Sequence, residues 1–290
     1  MIPGPFDYHA PGTLPEALAL LSKYGEDAKV LSGGQSLLPL LKLRLGQVGH
    51  LVDIGRIPGL EYVREDGGFL KIGGRTRESA LEASEAVRAR YPILLDTARV
   101  IADPVVRNMA TVGGNLAHGD PGNDHPATML ALGAQVVAIG PKGERVIPIE
   151  KFFLGLFRTA LRPDEVLTEI RVPAPPARSG GAYVKLERKV GDYATAGVAV
   201  QVTLDGKGAF ERVGIGLTNL GPTPIKASEA EKSLVGKRPD AAAMAEASRL
   251  VAKASSPTAD RRGAVDYKRE MARVLTGRAL KSAVERAGGR

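Results

Sequence analysis

Residues 29–45 read KVLSGGQSLLPLLKLRL and decide the local fold near the start of the chain. Residues 29–31, Lys-Val-Leu, predict a short buried strand, and the Gly33-Gly34 pair predicts a sharp turn. The leucine-rich segment after Ser36 predicts a helix. The chain is therefore expected to pass from a strand through a glycine turn into a helix.

A second glycine turn lies within residues 107–115, which read RNMATVGGN. Adjacent glycines let consecutive backbone N–H groups converge on an anion, and the Ser36 and Thr111 hydroxyls can donate to the same oxygens. A single Gly-Gly pair is usually an ordinary turn. Two such turns, each in a fuller motif, predict a clamp for a pyrophosphate.

Three other functions that these motifs suggest are excluded by what the sequence lacks. Residues 31–35 spell the signature motif of ABC-transporter ATPases, but no G-x-x-x-x-G-K-[ST] loop is present to hold phosphates and Mg²⁺. No strand-linked G-x-G-x-x-G indicates a Rossmann dinucleotide site. No G-x-S-x-G elbow indicates a serine hydrolase.

The rest of the chain predicts a mixture of helices and strands. Thr13 and Glu16 form a capping box that predicts a helix. Residues 173–181, rich in proline and glycine, predict a linker and a domain boundary. Alternating apolar residues in 198–204 and 213–217 predict an antiparallel hairpin with one buried face. From Ile225 onward the chain is predicted to be helical. Four residues near its end are predicted to form an inward-facing stripe that contacts the core or a partner: Tyr267, Met271, Val274 and Leu275.

Composition limits the possible classes of protein. With 290 residues, 43% of them hydrophobic, the chain is expected to form two or three compact units. The absence of cysteine excludes disulfides, thiolate zinc sites and conventional iron–sulfur ligation in this chain. With no secretory leader pattern and no apolar run of about 18 residues, a soluble cytoplasmic protein is predicted.

The net charge of +8 does not predict nucleic-acid binding. Residues 261–290 carry nine basic and three acidic residues, so much of the excess lies on one terminal helix. That helix is expected to face solvent or a partner. The chain has no tryptophan and few aromatics, which disfavours a base-stacking surface.

Residues 118–125, which read HGDPGNDH, contain two imidazoles and two carboxylates. Their spacing among prolines and glycines fits loop and helix-cap positions better than metal ligation, so no metal site is predicted. Taken alone, Lys185 is expected to be a solvated strand lysine and Tyr193 an ordinary half-buried aromatic.

Both glycine motifs resemble the FAD-pyrophosphate loops of the medium subunit of molybdenum hydroxylases, the family of aerobic carbon monoxide dehydrogenase and xanthine dehydrogenase. The first motif continues through residues 42–44, and the resemblance extends over nearly the whole chain. It includes residues 152–155, 166–170 and 191–193. Ala110 departs from the family, which usually has glycine there.

The resemblance implies an α+β fold of the vanillyl-alcohol oxidase type. Two α/β subdomains, residues 1–60 and 61–175, would hold a non-covalent FAD, and residues 178–290 would form a C-terminal sheet-and-helix domain. The residues expected to contact FAD are Ser32, Gly33, Gly34, Gln35, Ser36, Thr111, Val112, Gly113, Gly114, Asn115, Asp124, Leu167, Lys185 and Tyr193.

Four of these residues receive individual roles from the resemblance. Asp124 is expected to contact FAD, and Leu167 is expected to form a wall of its pocket. Lys185 would lie near the pyrimidine edge of the flavin, where a cation favours the negative charge of the reduced ring. Tyr193 would limit access to one face of the isoalloxazine. No catalytic side chain is expected, since the flavin supplies the redox chemistry.

The resemblance also implies partner chains. Molybdopterin is expected on a large subunit and [2Fe–2S] clusters on a small subunit, in a dimer of heterotrimers. This chain would receive electrons from the clusters and pass them to an external acceptor. Two alternatives remain open: a non-catalytic nucleotide-binding scaffold, which only Ala110 favours, and a stand-alone flavin oxidase, which the lack of an extra substrate domain disfavours.

Overall fold

The computed structural model describes residues 2–288 and begins with a parallel three-stranded sheet. Its strands lie in the order β1-β3-β2. They and the first two helices are β1 (Asp7–His9), α1 (Leu14–Tyr24), β2 (Ala28–Leu31), α2 (Leu37–Lys42) and β3 (His50–Asp53). The Thr13 hydroxyl accepts the Glu16 N–H at 3.4 Å and caps α1, which confirms the helix predicted from the capping box.

A five-stranded antiparallel sheet follows, in the order β4-β5-β10-β6-β7. The strands of this part are β4 (Val63–Asp66), β5 (Phe69–Gly73), β6 (Gln135–Gly140), β7 (Gly143–Pro148), the paired β8 (Phe153–Gly155) and β9 (Arg158–Thr159), and β10 (Val166–Pro173). Its helices are α3 (Glu78–Ala83), α4 (Glu85–Arg90), α5 (Pro92–Arg99), α6 (Pro104–Arg107), α7 (Val112–His118) and α8 (Asp124–Leu132). Strands and helices are mixed, which confirms the α+β class.

The last part is a four-stranded sheet in the order β11-β12-β13-β14, followed by three helices. Its elements are β11 (Ser179–Glu187), β12 (Ala194–Leu204), β13 (Phe210–Thr218), β14 (Ile225–Lys226), α9 (Ser228–Leu234), α10 (Ala241–Ala254) and α11 (Val265–Gly288). Two 3₁₀ turns, Gly25–Asp27 and Ile149–Lys151, complete the described elements. No helix within residues 2–288 is long and apolar enough to cross a membrane.

The β12–β13 hairpin is confirmed, but the prediction that only one of its faces is buried is wrong. Val200 and Val202 belong to the core that α11 covers. On the opposite face, Gly214 and Gly216 of β13 leave room for the α8 backbone, since a Cβ at either position would overlap an α8 carbonyl oxygen. The alternating apolar residues indicated one buried face, whereas the other face is buried because its glycines let α8 pack closely against it.

The predicted linker is shorter than its composition indicated. β10 ends at Pro173 and β11 begins at Ser179, so Gly180 lies inside a strand. A Cβ at Gly180 would overlap the Ala283 carbonyl oxygen of α11. Glycine at this position therefore allows close helix–sheet packing rather than linker flexibility.

The inward stripe predicted on α11 is partly wrong. Leu275 is buried, whereas Tyr267 is exposed. The buried side of α11 instead consists mainly of small residues, which let the helix lie close to β11 and β12: Lys268, Ala272, Leu275, Thr276, Ala279, Leu280, Ala283 and Ala287. Near its end, Arg286 donates to Asp96 of α5 at 2.6 Å and ties the helix to the middle part of the chain.

Candidate functional site

The first glycine turn, Ser32–Ser36, connects β2 to α2 and uses two different properties of glycine. Gly34 has φ +75°, in the left-handed region that glycine adopts without a Cβ penalty. Gly33 has no room for a side chain, because a Cβ there would overlap the Met109 carbonyl oxygen. Within residues 2–288, the N–H groups of residues 33–36 have no hydrogen-bond acceptor. These amides are available to an acceptor from outside the chain.

The second glycine turn, Thr111–Asn115, begins α7. Thr111 Oγ1 accepts the Gly114 N–H at 3.2 Å and so caps the helix. Gly113 packs against Gly74, whose carbonyl oxygen would overlap a Cβ. At Gly114, a Cβ would lie 2.6 Å from Thr111 Oγ1 and would displace the cap. Glycine in this turn therefore preserves the packing and the capping of the helix.

The two turns meet in space. Ser32 Oγ and Thr111 Oγ1 lie 3.0 Å apart, within hydrogen-bond distance. Behind them, Gly33 lies against the backbone at Met109. The end of β2 and the start of α7 therefore form one continuous surface, as a two-sided clamp requires.

A cavity of about 540 Å³, called here the glycine-turn cavity, opens along this surface. Both turns line it, and its far wall comes from the segment between β9 and β10. That wall is held by Glu165, which accepts hydrogen bonds from Arg145 and Arg162. Burial opposes ionisation of Glu165, but the two arginines outweigh it and lower its pKa to about 2.

A second cavity of about 460 Å³, called here the Tyr193 cavity, adjoins the first. The two share lining residues from the first turn, from α2, from the end of α7 and from the β8–β9 hairpin: Gln35, Ser36, Leu40, His118 and Phe157. The Tyr193 cavity is also bordered by Gly122, Asn219 and Arg262. Together the two cavities form a continuous cleft, each part within the size range of ligand pockets, about 300–1,000 Å³.

Asp124 and Lys185 are paired with each other and do not line either cavity. Lys185 Nζ lies 2.9 Å from Asp124 Oδ2 and 2.9 Å from the Val100 carbonyl oxygen. Tyr183 donates to the other Asp124 oxygen at 2.6 Å. Burial raises the pKa of Asp124, and the contacts from Lys185 and Tyr183 oppose that rise. Lys185 is thus a buried partner of a carboxylate, not the solvated strand lysine that its position alone suggested.

The remaining predicted site residues occupy different positions. Leu167 lines the glycine-turn cavity, and Tyr193 is half-exposed in the cavity named after it. Val112 is fully buried behind the second turn and lines neither cavity. Asn115 lines the glycine-turn cavity, and its Oδ1 is buried without a hydrogen-bond partner among the described residues.

The cleft also contains side chains that are not among the predicted FAD contacts. His118 packs on Phe157 with ring centroids 5.0 Å apart, where the two cavities join. Burial lowers the pKa of His118, which favours its neutral form. Phe157 has φ +54°, unusual for a residue with a Cβ. Arg262 enters from the turn before α11. These residues come from distant segments of the chain, so no local sequence pattern could predict that they lie in one cleft.

The imidazoles and carboxylates of residues 118–125 face different partners. His125 Nε2 is 2.7 Å from Glu78 in a fully buried pair, and Asp124 pairs with Lys185. Asp120 accepts the Gly122 N–H at 2.8 Å in a tight turn. Within the described part of the chain, no group of three or more histidine, cysteine or acidic residues is arranged to hold a metal ion.

Two family models together match most of the chain. Residues 4–175 match the FAD binding domain in molybdopterin dehydrogenase, and residues 181–283 match the CO dehydrogenase flavoprotein C-terminal domain.

Curated relatives are similar over almost their full length. The chain is 47% identical to the carbon monoxide dehydrogenase medium chain of Afipia carboxidovorans, covering 99% of both proteins. It is also 47% identical to the medium chain from Hydrogenophaga pseudoflava, covering 98% of each. In the solved carbon monoxide dehydrogenase from Hydrogenophaga pseudoflava, one chain superposes with a TM-score of 0.96 at 49% identity, covering 99% of both chains.

Proposed function

Because the chain belongs to the FAD-binding medium subunits of carbon monoxide dehydrogenase and related molybdenum hydroxylases, we propose that it holds a non-covalent FAD along the continuous cleft. The chain is an oxidoreductase subunit. The observation that carries the proposal is the contact between Ser32 and Thr111, which joins two glycine turns along one cavity.

The polar groups of the cleft fit the pyrophosphate and hydroxyl groups of FAD. The N–H groups of residues 33–36, which lack acceptors within the described chain, can donate to phosphate oxygens. A Cβ at Gly34 would meet Leu38, and a Cβ at Gly114 would meet Thr111 Oγ1, so glycine at both positions maintains the shape of the turns. Asn115 Oδ1 is a buried acceptor without a partner in residues 2–288, and a ribityl or ribose hydroxyl would satisfy it.

The Tyr193 cavity is the end of the cleft suited to the isoalloxazine. Tyr193 offers a half-exposed ring, and Leu167 provides an apolar wall further along the cleft. We assign Lys185 and Asp124 an indirect role, because they form a buried ion pair beneath this region. Their opposite charges largely cancel, so they hold β11 against α8 more than they present a free cation.

A bound FAD supplies the redox chemistry, since flavin accepts electrons singly and releases them as a pair. The chain's own residues bind it, orient it and limit access to it. Without cysteine, this chain has no conventional ligand for an iron–sulfur cluster. We therefore propose that electrons arrive from [2Fe–2S] clusters on a small partner subunit, and that a large molybdopterin subunit oxidises the substrate.

The same proposal covers the assembly and its division into domains. The named relatives are medium chains, which supports partnership with a large and a small subunit. A dimer of such heterotrimers is proposed with it. Residues 1–60 and 61–175 are proposed as the two FAD-binding subdomains, and residues 178–290 as the C-terminal domain. Relatives at 37% and 34% identity belong to caffeine and glyceraldehyde dehydrogenases, so similar subunits serve enzymes that oxidise different substrates.

The two alternative functions are less well supported. A scaffold that has lost its flavin was favoured only by Ala110, through the positive φ that alanine disfavours. Ala110 is not among the described non-glycine residues with positive φ, so its methyl group imposes no such strain. A stand-alone oxidase would need its own substrate site, whereas both cavities lie along the one cleft assigned to FAD.

The test is to produce this chain alone and together with candidate large and small subunits from the same genome. With all three chains we expect one complex that elutes together and reduces a dye with the substrate of the large subunit. The isolated chain should give no turnover. Turnover by the isolated chain, or failure to associate with either partner, would contradict the assignment as an electron-transfer subunit.

A further inference from the structure

Tyr193 ends the loop that connects β11 to β12, and Asp192 holds this loop in place. Asp192 Oδ1 accepts the Tyr193 N–H at 2.8 Å and a hydrogen bond from Arg262 Nη2 at 2.7 Å. The guanidinium carbon of Arg262 lies 5.7 Å from the Tyr193 ring centroid, within cation–π range. Arg262 therefore contacts Tyr193 directly and also contacts the carboxylate that fixes its backbone.

Arg262 is itself held by a tight turn before α11. Asp260 Oδ1 accepts the Arg262 N–H at 2.8 Å. The other Asp260 oxygen pairs with Lys268 at 2.9 Å, and the Lys268 side chain is only 1% exposed. A series of contacts between charged residues therefore connects the buried Lys268 of α11, through Asp260 and Arg262, to Asp192.

This cluster differs from an ordinary surface ion pair in its position and burial. Arg262, Asp260 and Tyr193 all border the Tyr193 cavity. The Asp192 side chain is only 9% exposed. The hydrogen bond from Arg262 is the main cause that lowers the pKa of Asp192. A charge-assisted hydrogen bond to a buried carboxylate is stronger than an exposed pair, which contributes about 0–1 kcal/mol.

The residue before Asp192 is fixed as well. Gly191 has φ +80° and lies against Ala102, where a Cβ would meet the Ala102 carbonyl oxygen at 2.6 Å. The loop is therefore held by backbone packing at Gly191 and by Arg262 beside it. The Tyr193 ring is the part of this loop that reaches the cavity.

We propose that Arg262 is a positioning residue for Tyr193, and that it sets the orientation of this ring at the flavin end of the cleft. The inference rests on the proposed FAD site. It assigns the turn before α11, which contains no glycine motif, a role in orienting a side chain of the FAD cleft. The basic C-terminal region thus has one member that faces the cofactor site rather than solvent.

The experiment compares Arg262→Gln and Arg262→Lys with the control Arg261→Gln, an exposed neighbour that makes none of these contacts. Each variant is made in full-length chain with Tyr193 retained and with Tyr193→Ala. After removal of its flavin, each protein is titrated with FAD. The readouts are the Kd for FAD, the fluorescence lifetime of the bound flavin, which a stacked tyrosine shortens, and the Tm.

With Tyr193 retained, Arg262→Gln should lengthen the flavin lifetime and raise the Kd about tenfold. Arg262→Lys should recover part of both effects, and Arg261→Gln should change neither. In the Tyr193→Ala background, the effect of Arg262→Gln on Kd should shrink to about twofold or less, because the two residues act together. A purely structural role would lower the Tm equally in both backgrounds and leave the lifetime unchanged.

Three results would overturn the inference, and only the last of them would also overturn the proposed function. If the unsubstituted chain binds FAD while Arg262→Gln keeps its lifetime and Kd, Arg262 does not position Tyr193 and the proposed function stands. Equal effects of Arg262→Gln in both Tyr193 backgrounds would likewise overturn the positioning role and leave the proposed function intact. If the unsubstituted chain binds no FAD, the proposed function fails together with the inference.

Discussion

Ser32 Oγ and Thr111 Oγ1 lie 3.0 Å apart, although 79 residues separate them in the chain. The contact connects the end of a strand in the parallel sheet with the start of α7. It places the free amides of the first turn beside the cap of the second. The clamp therefore depends on the relative position of two parts of the chain, and not on either turn alone.

Thr111→Val should weaken FAD binding because it removes both hydroxyl contacts while keeping the shape of the side chain. Loss of a helix cap costs about 1 kcal/mol of stability. The matched control is Thr13→Val, which removes the cap of α1 far from the glycine turns. Thermal unfolding should show similar losses, whereas FAD titration should show about a tenfold higher Kd for Thr111→Val only. Equal FAD affinity in the two variants would contradict the role of this contact.

Gly34→Val should abolish FAD retention in a folded chain. Valine disfavours φ +75°, and its Cβ would also lie 2.9 Å from Leu38 Cδ1 beside the first turn. Gly208→Val is the control, because Gly208 has φ +79° in a hairpin turn with open space around it. Backbone strain of about 1–2 kcal/mol is expected in both variants. Flavin absorbance should be lost only in Gly34→Val, with circular dichroism unchanged in each.

Gly114→Val is expected to have the same effect on flavin content through a different contact. Its Cβ would lie 2.6 Å from Thr111 Oγ1, so the cap and the contact with Ser32 would both be disturbed. Full flavin occupancy in both Gly34→Val and Gly114→Val would mean that the turns do not hold the pyrophosphate.

Glu165 should contribute stability that is lost in acid. Its folded-state pKa of about 2 lies below the ordinary value of 4.5, so its contribution is complete above about pH 4.5 and falls as the pH drops toward 2. The difference corresponds to roughly 3 kcal/mol. Urea unfolding should therefore show a large stability gap between the unsubstituted chain and Glu165→Gln at pH 7, and a shrinking gap below pH 4.5.

The control for this pH dependence is Glu270→Gln, which removes an exposed ion pair with Arg273 on α11. Exposed pairs contribute about 0–1 kcal/mol, so the gap should be small at every pH. A Glu165→Gln gap that stays constant between pH 7 and pH 3 would show that the carboxylate is not stabilised by Arg145 and Arg162.

The sequence could predict local features whose causes are local. The capping box at Thr13 predicted α1, and alternating valines predicted the β12–β13 hairpin. The two glycine turns were recognised because phosphate binding needs adjacent residues without Cβ atoms. Each of these signals lies within one continuous stretch of chain, the longest being residues 198–217 of the hairpin, and each was sufficient to identify its element or turn.

Features that depend on packing between distant segments could not be predicted. Nothing near Lys185 indicates that it is buried with Asp124, since the pair forms only when folding brings β11 and the start of α8 together. Likewise, Gly214 is a packing residue only because α8 crosses the sheet there. Arg262 lies in a basic region whose average charge suggests a solvated helix, and only the folded chain brings it to Tyr193.

The most direct test of the central claim is the flavin content of the native protein. The complex purified with its partners should carry about one FAD for each copy of this chain, released intact by acid because no covalent bond holds it. Absorbance after acid precipitation, with protein measured separately, gives the ratio. A ratio near one with free FAD in the supernatant is the expected result. A colourless complex that does not bind added FAD at micromolar concentration would contradict the claim.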